Sequence, residues 1–144
     1  MFAPGTDVTV TATGADVAAF TGTATMPTAL ELIGKADLRL RSGEELTVRW
    51  QPADPGSRIR LVLGADRGHA LHRAALIECD LPDEAGSVTI PAATITRFTD
   101  PANWSCGDCF SQEIKRYRRA RATAGPTAVD IWMSQSESIY LVPE

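Results

Sequence analysis

A chain of 144 residues, 44% hydrophobic and 22% charged, has the composition of one globular domain long enough to bury a core. Its net charge of -4 gives no reason to expect nucleic acid as a partner. No apolar run approaches the roughly 20 residues of a membrane-spanning helix.

In chain order, Asp7-Val8-Thr9-Val10-Thr11-Ala12-Thr13 alternates apolar and polar residues, the period of two that a half-buried strand requires. Gly14-Ala15-Asp16 turns the chain. Residues 17–25 form a second strand, weakened by Gly22, with Phe20 as its apolar anchor. Met26-Pro27 ends it, a short strand is expected about 30–33, and Leu38 and Leu40 share a face before Ser42-Gly43.

The clearest signal follows. Leu46, Val48 and Trp50 alternate with Glu45, Thr47 and Arg49, and Ile59, Leu61 and Leu63 alternate with Arg58, Arg60 and Val62. Pro52-Ala53-Asp54-Pro55-Gly56-Ser57 joins the two runs, which read as neighbouring antiparallel strands with Trp50 anchoring the core.

Residues 72–80 are a further strand with Ile77 and Cys79 on one face. Pro82-Asp83-Glu84-Ala85-Gly86 is a turn, 87–90 a short strand, and 91–98 the one helical candidate. Pro91 suits a first helical turn there, and Ile95 and Phe98 lie on one face. Residues 99–111 form a long irregular loop, and 114–123, 128–133 and 138–142 close the chain as strands. Short strands with a turn signal about every 8 to 12 residues predict an all-β fold. The expected architecture is a two-sheet antiparallel β-sandwich with one short helix near 91–98, a single domain over 1–144.

Leu46-Thr47-Val48-Arg49-Trp50-Gln51-Pro52 followed by Arg58-Ile59-Arg60-Leu61-Val62-Leu63 resembles the second and third strands of fibronectin type III and related immunoglobulin-like domains. In those, a tryptophan packs between the sheets. Tyr117, followed by Ala120, Ala122 and Gly125, is similar to their penultimate strand, although Arg119 and Arg121 stand where that pattern places aliphatic residues. The layout from Val8-Thr9-Val10-Thr11 through Ile77-Glu78-Cys79-Asp80 and Ser87-Val88-Thr89-Ile90 to Arg116-Tyr117-Arg118-Arg119 also resembles uncharacterised secreted lipoprotein domains of high-GC bacteria. These resemblances imply export and bring no catalytic residues.

Three cysteines invite three readings. Cys106-Gly107-Asp108-Cys109 has C-x-x-C spacing, but no helix follows it to lower a thiol pKa, so redox catalysis is not expected. A zinc site with His69 or His72 meets a geometric objection. His72 and Cys79 are seven residues apart on a strand, which places them on opposite faces and roughly 23 Å apart. The favoured reading is a disulfide from Cys79 to Cys106 or Cys109, worth about 3–4 kcal/mol in the chain-entropy model. A local Cys106–Cys109 bond and three free thiols are the alternatives.

The run Lys115-Arg116-Tyr117-Arg118-Arg119-Ala120-Arg121 divides its charge between the two faces of a strand, where an anion-binding stripe would collect it on one. It reads as an edge or solvent-covered strand whose arginines lay their stems over apolar neighbours. Trp104 and Phe110 mark a ligand-contact loop and, with Trp132 and Tyr140, an aromatic platform of the kind that stacks on sugars. Asn103-Trp104-Ser105 matches an N-glycosylation acceptor. Asp80, Asp83 and Glu84 lack the alternating ligands and glycine of a calcium loop.

No G-x-S-x-G, P-loop or H-E-x-x-H occurs, and the two histidines have no partner at motif spacing. The expectation is a non-catalytic structural or protein-interaction module, without cofactor or metal. It would bind another protein or itself through a sheet edge or the 99–111 loop, with a carbohydrate or other small ligand as the alternative. Met1-Phe2-Ala3-Pro4-Gly5 lacks the basic start and apolar stretch of a signal peptide. That leaves a cytosolic chain or the mature part of an exported protein. The Thr-rich, Lys-poor, all-β composition with three cysteines and the resemblance to secreted domains favour the second, its leader absent from this chain and any membrane contact made through a lipid anchor outside it.

Overall fold

A computed structural model describes residues 2–16, 18–34, 37–67, 72–100 and 110–143. Strand residues make up 58% and helical residues 8%, so the chain is mostly β, with antiparallel sheets and one short helix. The strands are β1 (Asp7–Ala12), β2 (Phe20–Thr25), β3 (Asp37–Leu40), β4 (Leu46–Arg49), β5 (Arg58–Arg67), β6 (His72–Pro82), β7 (Ser87–Ile90), β8 (Phe110–Ala124), β9 (Thr127–Glu137) and β10 (Tyr140–Pro143). Helix α1 (Ala92–Phe98) follows β7, and Asp83–Ala85 is a 3-10 turn. One sheet has the order β6-β5-β8-β9, and β1-β2, β4-β7 and β3-β10 are strand pairs.

The alternation seen in the sequence decides which face each strand buries. Ile59, Leu61 and Leu63 of β5 lie opposite Leu81, Cys79 and Ile77 of β6, and Ile114 of β8 lies opposite Leu61. These residues share one face and join a buried cluster with Leu38, Leu40, Leu46, Val48, Trp50, Ile90, Ile95, Phe98, Ile139 and Leu141. Full burial of each such side chain is worth about 1.5–3 kcal/mol, which makes this cluster the main source of stability. Pairing β4 with β7 sets Leu46 against Ile90 and Val48 against Val88, while Thr47 and Thr89 share a hydrogen bond of 2.9 Å on the exposed side.

A second, smaller cluster lies under the far end of β8. There Ala24 of β2 meets Ala122 and Ile131, flanked by Phe20, Ala120, Val129 and Met133. Gly22 explains how close the strands come. A Cβ at that position would stand 2.5 Å from Ile131 Cδ1 and 2.8 Å from Ala122 Cβ, distances no side chain tolerates. On the other side of the β1–β2 pair, Thr9 bonds Thr23, Thr11 bonds Thr21, and Thr25 donates to Asp7 at 2.6 Å. At fifteen residues, β8 is long enough to serve both clusters, its Ile114 in one and its Ala122 in the other.

Four expectations change. Strands β4 and β5 are not neighbours: β4 pairs with β7, and β5 lies between β6 and β8, so the Pro52–Ser57 turn carries the chain between sheets. The strand expected about 30–33 is reduced to one bridge between Leu32 and Trp50. The pair β3 and β10 runs parallel, unlike the rest. Finally, β8 is an interior strand with partners on both sides, not an edge. Its length hid this, because the basic run occupies only its middle.

Candidate functional site

The basic run of β8 splits between two environments, and each consumes its charges differently. On the buried face, Arg116 is fully enclosed, as is Asp83 of the 3-10 turn. Its Nε and Nη2 donate to Asp83 Oδ1 at 3.1 and 2.9 Å, and Nη2 also donates to the Gln51 carbonyl at 2.6 Å. Its Nη1 donates to Thr28 Oγ1 at 2.9 Å and to the Ala29 carbonyl. All five guanidinium N–H groups are thereby used, the condition under which a buried arginine is tolerated.

Asp83 is equally occupied. Its Oδ2 accepts the Ala53 and Asp54 N–H groups at 2.9 Å each, and its carbonyl accepts Trp50 Nε1 at 2.8 Å. The core indole, the 51–57 turn, the 28–29 segment and β8 are therefore knotted together around one ion pair. Gly86 closes the turn at φ 67, and a Cβ there would press Pro52 Cγ at 3.3 Å. Beside the knot, Arg118 forms a two-pronged pair with Asp54 and donates to the Pro55 carbonyl at 3.0 Å. Burial alone would raise the Asp54 pKa, but the Arg118 hydrogen bond and the Thr28 N–H outweigh it and hold the carboxyl below its ordinary value.

The open face of the four-stranded sheet carries a ladder of opposed charges. Arg58 bonds Asp80 at 2.7 Å, Arg60 bonds Glu78 at 2.7 Å, and Lys115 reaches Glu113 at 3.1 Å. Arg119 and Arg121 share Asp130, at 2.7 and 3.1 Å. Hydrogen bonds from arginine lower the carboxyl pKa of both Glu78 and Asp130. Tyr117 donates its hydroxyl to Asp80 at 2.7 Å, and burial, followed by that bond, raises its pKa.

Tyr117 is only 4% exposed because Trp132 of β9 roofs it. The two rings stack with centroids 4.9 Å apart at 27°, and the Arg119 guanidinium lies 5.5 Å from the indole centroid. Trp132 itself remains 50% exposed. The indole is thus turned inward over β8, and the outer edge of β9 is left clear of it.

That edge differs from the others. β9 is eleven residues long, pairs only with β8 among the described residues, and keeps an unbroken register from Ala124↔Thr127 to Ile114↔Glu137. It contains no Lys, Arg or Pro. The opposite edge, β6, has an irregularity in its pairing, carries Glu78 and Asp80, and ends in Pro82. The irregularity and the proline are among the usual protections of an exposed edge, and β9 has neither, although it carries Asp130 and Glu137.

The residues singled out in the sequence fall in several places. Trp50 is fully buried in the main cluster. Cys79 lies half-buried against the same cluster, its thiol pKa raised by burial and then by the Glu78 charge, and both residues expected to bond it fall outside the described residues. Cys106, Cys109, Trp104, Asn103 and His69 lie outside the described residues. Phe110 opens β8, and Tyr140, 57% exposed, sits on β10, which pairs with β3 and is not part of the four-stranded sheet that carries Trp132. Among the described residues no three His, Cys, Asp or Glu side chains are grouped to hold a metal.

Arg116 and Asp83 were not foreseen as a pair. The available signal was parity: Arg116 shares its face with core-facing Ile114. Comparison with protein-family models, curated proteins and solved structures returns no match, and so nothing links the chain to the immunoglobulin-like or lipoprotein families it resembles.

Proposed function

We propose that the chain is a non-catalytic protein-interaction module of an exported bacterial protein, built as an immunoglobulin-like β-sandwich. Its four-stranded sheet would be faced by the strand pairs. The pairing of β4 with β7 and the order β5-β8-β9 correspond to the B–E and C–F–G neighbours of that architecture. A buried cluster drawn from both groups of strands supports the same reading. The non-catalytic part rests on how the acids and bases are used: the pairs at Arg116, Arg118, Arg58, Arg60 and Arg119 all answer structural needs. Export rests on the all-β composition with only two lysines and on the resemblance to secreted domains.

The observation that carries the proposal is the long, regular edge of β9, which has no bulge, proline or lysine. Among the described residues nothing pairs with the outer side of its eleven residues, and such an edge is a template for strand addition, the mode by which many domains recruit partners. A photo-reactive residue placed at Ser136, exposed on β9, tests it in the producing bacterium. Adducts containing a polypeptide are expected. Their absence from folded, irradiated chain would overturn the proposal.

A second reading has its own support in the half-exposed Trp132 ring, flanked by Arg119 and Asp130, which offers a sugar a stacking surface beside hydrogen-bonding groups. Binding to a neutral oligosaccharide that disappears in Trp132→Ala would favour it.

A further inference from the structure

We infer that the β9 edge takes a second copy of this chain, antiparallel about a two-fold axis at Trp132, to give a continuous eight-stranded sheet. The inference rests on the interaction-module reading above and supplies its partner.

Self-complementarity is what selects the occupant. β9 runs from Thr127 to Glu137, and its midpoint is Trp132, so a dyad there pairs all eleven residues. Directly opposed residues then lie on the same face of the joined sheet. On the open face Asp130 meets Ser134 of the second copy, and Ala128 meets Ser136. On the buried face Ile131 meets Met133, both part of the smaller apolar cluster within one chain, and Val129 meets Gln135. Asp130 and Glu137 are the two charged residues of the strand, and neither faces a like charge in this register. A dyad moved to Asp130 would set two carboxylates against each other, which is unfavourable for directly opposed pairs.

Steric access agrees. The dyad sets Trp132 opposite its own copy, and each indole leans over Tyr117 and Arg119 toward the interior of its own sheet, so the two rings are directed apart. Asp130 already holds Arg119 and Arg121 on its own sheet, so the edge presents no unpaired arginine to repel its copy. An antiparallel pairing of this length forms about ten backbone hydrogen bonds, the number found in a typical specific interface.

The register can be read by charge. Ser134 is exposed and faces Asp130 of the second copy twice in the dimer, once across each half. Ser134→Asp therefore opposes two pairs of like charges, and Ser134→Lys creates two attractive pairs. The experiment is light scattering coupled to size exclusion, from micromolar to millimolar chain, on the wild type and both variants. Circular dichroism confirms that each is folded.

The expected result is a concentration-dependent doubling of mass, with the dissociation constant raised about tenfold by Ser134→Asp and lowered by Ser134→Lys. A wild type that stays monomeric throughout would overturn the self-pairing. So would a dimer indifferent to both substitutions, since its contact would lie elsewhere. Either failure is distinct from failure of the interaction-module reading. Cross-linking from Ser136 to a different polypeptide would leave that reading standing while removing the second copy as partner.

Discussion

Asp83→Asn probes the knot around Arg116 with the smallest change of shape. The Asp83 carboxylate accepts two donors on each side: Arg116 Nε and Nη2 at Oδ1, and the Ala53 and Asp54 N–H groups at Oδ2. An amide has one accepting oxygen and one donating nitrogen. Whichever way it flips, its NH₂ group faces a pair of donors, and those donors lose their partner. In addition, Arg116 would remain fully buried with no counter-charge. Breaking a buried ion pair from one side costs about 3–5 kcal/mol, and orphaned buried donors belong to the same range of penalties. At about 2–4 °C per kcal/mol for a chain of this size, the melting temperature should fall by about 6–20 °C.

Urea denaturation at low and high salt is the assay. Because the pair is enclosed, its loss should be nearly independent of salt, whereas exposed ion pairs weaken by screening. The double variant Arg116→Met, Asp83→Asn should cost well under the sum of the two single changes, since it leaves no isolated charge. A loss below about 1 kcal/mol in Asp83→Asn, or strict additivity in the double variant, would refute the argument that the ion pair ties the 51–57 turn to β8.

Two further outcomes follow from other contacts. Gly22→Ala places a methyl where Ile131 Cδ1 stands 2.5 Å away, and should destabilise by about 1–3 kcal/mol, partly relieved by Ile131→Val. A gain in urea midpoint, the usual result of replacing a strand glycine, would disprove the close approach. The third concerns acid. Since the folded Asp54 carboxyl titrates below its ordinary value of 3.8, its stabilising contribution is fully present above that value. The contribution disappears as pH falls through the lower folded value. Arg118→Met should therefore be less stable than the wild type at neutral pH and converge with it in the acid limb of a pH–stability series. A difference that persists unchanged below that limb would show that Arg118 acts by packing alone.

Local pattern alone was enough to locate most of the strands. The alternation around Leu46–Trp50 and Ile59–Leu63 reports which side chains are buried, because adjacent residues on a strand must face opposite ways. The placement of α1 from Pro91, Ile95 and Phe98 was legible for a similar reason, since the cue and the structure lie within one turn of chain. Pairing was not legible. That β4 leaves β5 for β7, and that β3 runs parallel to β10, depends on contacts between segments far apart in sequence, which residue periodicity does not encode.

The same limit governed the site. Composition marked the arginines of β8 as charged and therefore wet, and for Arg119 and Arg121 that holds. Arg116 is dry because the 28–29 segment, Gln51 and Asp83 bring acceptors to its buried face from three other parts of the chain. A lone arginine in a one-dimensional pattern cannot show whether such acceptors will assemble, and the energy of burying it depends wholly on them. Likewise, the letters of β9 describe a mildly apolar strand. Only the sheet order makes it an edge, with backbone groups left to pair.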